Sequence, residues 1–142
     1  MRTALWELQK ALLAKLTAYE PLMNKITGVY DDVPQTLINA DGSIKPTAFP
    51  YVTITVSSNE DFDTKSSIGE NIIFVLHMWS KTMGKKESYD MLNLILAALH
   101  TPLSIGGGFS IARYVPNRPT VITDIDGKTK HGILELRYYI NN

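Results

Sequence analysis

Ile72-Ile73-Phe74-Val75-Leu76-His77-Met78-Trp79, then Ser80-Lys81-Thr82-Met83-Gly84-Lys85-Lys86, then the apolar run over residues 89–99, is the stretch that decides the fold. The first eight residues carry no charge and read as a strand covered on both faces. The run beyond the basic turn has Leu92, Ile95, Leu96 and Leu99 on its main face, with Tyr89, Met91, Leu94 and Ala98 widening it. It reads as a helix covered on more than one side. A buried strand feeding a buried helix marks the centre of an α+β core.

Upstream, residues 51–57 alternate. Val52, Ile54 and Val56 face one way, and Thr53, Thr55 and Ser57 face the other with Tyr51. A half-buried strand is predicted, joined to the central one by a polar excursion over residues 58–70 in a long hairpin. That excursion sets Glu60, Asp61, Asp63 and Glu70 against Lys65, four negative charges against one positive, a net charge of −3. Earlier still, Leu5, Leu8, Leu12, Leu16 and Tyr19 recur at three- and four-residue spacings, predicting a helix over residues 3–19 with Thr3 as N-cap. Pro21 opens a short helical turn over residues 22–26, and residues 28–33 read as a short strand. Pro34, Asn39, Asp41-Gly42, Pro46 and Pro50 make residues 34–50 irregular, either a docking segment or a flexible loop.

Downstream, Pro102 ends the helix and Gly106-Gly107-Gly108 predicts a mobile connection. Strands follow over residues 109–115 and 120–125, then an Asp126-Gly127 turn. The last strand, residues 131–140, sets Leu134, Leu136, Tyr138 and Ile140 inward against Glu135, Arg137 and Tyr139. The expectation is one domain over residues 1–142, of α+β class. A mostly antiparallel sheet of about five to six strands carries an N-terminal helix and a central apolar helix packed on it.

The composition, 44% hydrophobic and 20% charged, is that of an ordinary soluble globular protein. Fourteen basic side chains balance 14 acidic ones. A dedicated nucleic-acid binder carries a basic excess, so the balance argues against that role and favours self-association. Cysteine is absent, which excludes disulfides and thiolate metal sites and fits a cytoplasmic or virion protein. Glu7, Gln9 and Lys10 interrupt any signal-peptide core, and no apolar run reaches the roughly 20 residues that span a bilayer. No membrane association is expected.

The sequence holds no reactive constellation. His77, His100 and His131 share no metal-ligand spacing. His77 reads as a hydrogen-bonded sheet residue, and His100 as complementing the negative end of a helix. No Gly-Lys-Ser/Thr follows the glycine triplet, so it is no phosphate loop. Asp61 and Asp63 lack the offsets of a calcium loop. No catalytic, metal or cofactor-binding residue is therefore assigned. The candidates are interface residues: Glu60, Asp61 and Asp63 on the hairpin, and Lys81, Lys85 and Lys86 in the turn. Arg113 and Arg118 extend the basic set.

Several phrases resemble one family in order and spacing. These are Gly28-Val29-Tyr30-Asp31-Asp32-Val33-Pro34, Phe49-Pro50-Tyr51-Val52-Thr53-Ile54, Val75-Leu76-His77-Met78-Trp79-Ser80, and Asp124-Ile125-Asp126-Gly127-Lys128-Thr129-Lys130-His131-Gly132. They resemble the tail terminator, or tail completion, proteins of long-tailed phages and prophages. The resemblance implies a non-enzymatic virion subunit, made in the bacterial cytoplasm. It would form a ring, commonly a hexamer, at the head-proximal end of the tail. It implies as partners further copies of itself, the tail tube protein and the head-tail connector, with DNA passing through unbound. A head-side connector or stopper is the neighbouring reading. A small-molecule-binding or hydrolytic domain using the carboxylate loop is the remote one.

Overall fold

The computed structural model describes residues 1–142. Its elements are α1 (Leu5–Thr17), α2 (Glu20–Met23), β1 (Val29–Tyr30), β2 (Tyr51–Asp61), β3 (Gly69–Ser80), α3 (Lys86–Ala98), β4 (Ser110–Pro116), β5 (Thr120–Thr123) and β6 (Lys130–Asn141). The fold is α+β, as the alternation of hydrophobic periods predicts. The sheet order is β1-β2-β3-β6-β4, with β5 pairing β6 beside β4. Every pairing is antiparallel except that of β1 with β2.

The helices cover one face. Ile72, Phe74, Leu76 and Met78 of β3 alternate inward beside Leu134, Leu136, Tyr138 and Ile140 of β6. They meet Leu8, Leu12 and Leu16 of α1 and Met91, Leu92 and Ile95 of α3 in one continuous core. Each such side chain contributes about 1.5–3 kcal/mol by leaving water. Gly132 belongs to this contact for a steric reason. A Cβ there would stand 3.0 Å from Met78 Cε and 3.3 Å from Leu92 Cδ1.

Several boundaries differ from expectation. The 58–70 excursion is mostly ladder: β2 runs on to Asp61 and β3 begins at Gly69, leaving only residues 62–68 as connection. Polar side chains do not stop a ribbon whose two strands supply each other's hydrogen bonds. Val56, expected inward and paired with the buried Phe74, is 41% exposed because β2 is the edge strand there, beyond the reach of β1 and next to a bulge between Val56 and Ser58. Tyr51, expected outward, is buried by an edge contact with Phe49 and by stacking on Trp79.

The helix expected over residues 3–19 starts at Leu5 after Ala4. The central helix begins at Lys86, three residues before the apolar run, because polar residues fill its first turn. Residues 34–50 hold two 3-10 turns, Gln35–Leu37 and Pro46–Ala48, and a small hairpin bridged at Ile38 and Ile44. The glycine connection is anchored: Arg2 Nη1 donates to the Gly107 carbonyl at 2.7 Å and its guanidinium lies over Phe109. No helix is long and apolar enough to cross a membrane.

β3 is not covered equally on its two faces. Its second face carries Ile73, Val75, His77 and Trp79, of which only Val75 is buried. That open face, and the two edges of the sheet, are where the fold leaves surface to be used.

Candidate functional site

The acidic and basic candidate residues stand at opposite ends of β3. Asp61 pairs with Glu70 at its start, and Ser80 pairs with Lys130 at its end. Ten residues of strand separate the two ends, roughly 34 Å at 3.4 Å per residue. The chain therefore does not bring Glu60, Asp61 and Asp63 to Lys81, Lys85 and Lys86. Contact between those sets requires a second copy.

At the acidic end, Glu60 and Asp61 are exposed on the strand. Asp63 accepts from the Gly69 amide at 3.1 Å and helps close the loop. Glu70 is different. It is 6% exposed, and its two oxygens accept from the Ala4 amide at 2.8 Å and the Thr3 hydroxyl at 2.9 Å. A carboxylate on β3 thus takes the Ala4 amide at the start of α1, while the Thr3 hydroxyl, the expected cap, accepts from the Leu5 amide at 3.3 Å; negative charge is favourable at a helix start. An open cleft of about 320 Å³ lies here, lined by Arg2, Thr3, Asn59, Asp61 and Glu70 among others. The Glu70 carboxylate facing it is already engaged.

At the basic end, the turn is held by Glu87, which accepts from the Ser80 and Thr82 hydroxyls, both at 2.8 Å. Lys81 lies over the Phe49 ring at 4.8 Å. Lys86 bonds Asp90 at 2.8 Å, which raises the lysine pKa and lowers that of the aspartate. The adjoining Asp126-Gly127 turn adds a carboxylate, held down to a pKa of about 2 chiefly by the Thr129 hydroxyl and then by the Thr129 and Lys128 amides. Gly127 takes φ +71° there, as the turn requires. Of the three lysines only Lys86 makes an ion pair, with Asp90, while the Lys81 charge acts on Asp126 without a contact. Lys81 and Lys85 make no ion pair, and neither do Arg113 and Arg118, which are exposed on the β4 edge where residues 109–123 contain no carboxylate.

Between the ends, the open face holds an arrangement that sequence spacing misses. His77 Nδ1 lies 2.6 Å from His131 Nε2, and Trp79 stacks on His131 with ring centroids 3.9 Å apart. Burial lowers both imidazole pKa values, and for His131 the neighbouring His77 lowers it further while Asp124 opposes. His77 is a hydrogen-bonded sheet residue, as expected; its partner becomes visible only through the β3–β6 register. No three His, Asp or Glu side chains converge as metal ligands do. His100 is exposed just beyond α3, its amide donating to the Ala97 carbonyl.

The fold leaves exposed two sheet edges, an acidic hairpin end and a half-apolar face. The family described as tail completion protein gp17 matches residues 10–141. The tail completion protein gp17 of Bacillus phage SPP1 is 39% identical over 136 residues, which is 95% of this chain and 92% of that protein. The solved structure of bacteriophage SPP1 gp17 superposes with a TM-score of 0.62 at 38% identity, covering 99% and 94% of the two chains. A chain in the virion of a native gene transfer agent particle shares the fold over 100% of both chains, with a TM-score of 0.81 at 19% identity. The chain belongs to the tail completion protein gp17 family.

Proposed function

We propose that this chain is a virion assembly subunit that forms a ring on the head-proximal end of a finished tail tube, caps it and joins it to the head. The observation that carries this reading is the 39% identity, over 95% of the chain, to a protein named for tail completion. The molecule's surfaces agree with it. A closed ring needs two different, complementary surfaces on each subunit. The sheet offers two unlike edges, one ending in Glu60, Asp61 and Asp63 and the other carrying Arg113 and Arg118.

In this reading the partners are further copies of the chain, the tail tube protein and the head-tail connector. The Lys81, Lys85 and Lys86 turn and the 35–48 segment remain to meet the tube or the connector. Acidic residues facing the bore would repel DNA phosphates, so DNA passes without specific binding. No catalytic step is proposed.

Particles lacking the protein test the reading. Electron microscopy should show full heads together with unjoined or overlong tails. Heads that leak their DNA would instead assign the chain to a head-side connector or stopper.

A further inference from the structure

We infer that neighbouring copies join edge to edge through the sheet itself, the free half of β2 in one copy pairing antiparallel with β4 of the next, and Glu60 facing Arg113 across the seam. The inference rests on the ring reading and specifies which surfaces make it.

Both edges are open. β1 covers β2 only at Val52 and Thr53. The Val52 amide donates to the Gly28 carbonyl on that side, so ladder alternation turns the amides of Ile54 and Val56 outward too. Past the bulge, the Phe62 amide donates to Gly69 across the hairpin, which leaves those of Asp61 and Asn59 pointing outward. This stretch of β2 has no proline and no lysine to discourage another strand. On the opposite edge, the Asn117 amide donates to the Glu135 carbonyl of β6, so Tyr114 and Pro116 face outward. Pro116 has no donor and Pro119 follows. A pairing strand is accepted along the first part of β4 and refused beyond it, which limits the register.

Direction and charge agree. β2 runs antiparallel to β3, β3 to β6 and β6 to β4, so β4 runs antiparallel to β2. A second copy in the same orientation therefore meets the free edge in a proper antiparallel pair, and repeating that step turns the copies around an axis. Glu60 pairs with Asn71, Asn71 with Tyr139, and Tyr139 with Arg113. These four form one row on the open face, with Arg113 held 5.9 Å from the Tyr139 ring centroid. Continuing that row into the next copy brings Arg113 against Glu60.

The chain contains no cysteine, so engineered thiols report the seam cleanly. Facing residues stand about 4.5–5.5 Å apart, within reach of a short bis-maleimide. Ring-sized species assembled with tail tube protein from the double variant Glu60→Cys, Arg113→Cys should cross-link into a ladder ending at the closed ring. A mixture of the two single variants should stop at dimers. Separately, Glu60→Lys and Arg113→Glu should each weaken association about tenfold, and the two together should restore it. Rings that form but neither cross-link nor respond to charge reversal would overturn the seam and leave the ring standing. Only monomer, with or without tail tube protein, would overturn the ring reading and the seam with it.

Discussion

At the residue scale, Glu70 shows how one side chain ties distant parts of the chain. It sits 66 residues from the Ala4 amide it accepts, and it is buried there. Removing the carboxylate leaves that amide and the Thr3 hydroxyl without their partner. Glu70→Ala should therefore cost about 1–3 kcal/mol, measured as a lowered urea midpoint with an unchanged slope. The same substitution at Glu60, exposed on the free edge, should leave the midpoint where it is. The sequence does not distinguish these two glutamates. Both look like solvated loop charges until strand pairing turns one inward.

At the element scale, what was legible is what depends on local period. The Leu8, Leu12 and Leu16 stripe, the alternation of β6 and the Asp126-Gly127 turn all stand where their spacing puts them. What was not legible depends on register: the ladder beyond Ser57, the pairing of both β4 and β5 with β6, and the meeting of His77 and His131. Those two histidines are 54 residues apart and come together because β3 and β6 align. Burial lowers both pKa values below the ordinary 6.5. Below pH 6.5 the unfolded chain then binds more protons than the folded one, so stability is fully present above that pH and declines as pH falls. Urea midpoints should drop between pH 7 and pH 5. The double variant His77→Gln, His131→Gln should flatten that decline, with the remaining carboxylates unaltered.

For the whole molecule, the core-facing side of the sheet is complete and the other side is not. Helices cover one face, while the second face and much of both edges remain open. The sequence already indicated shape over chemistry, since its apolar positions are taken by the core and its charges cancel. It does not show where the charges fall in space. In the lysine turn, prominent in the sequence, Lys86 is paired with Asp90, whereas Arg113 is exposed on a free edge beside the Tyr139 ring with no ion pair. The central claim is that this chain acts by assembling on a tail tube. The direct measurement is light-scattering mass of the purified protein, alone and after mixing with preformed tail tubes. The account predicts depletion of the free protein onto tube ends as a single ring-sized increment per tube. Protein that stays monomeric in the presence of tubes, with tube ends left bare, would contradict it.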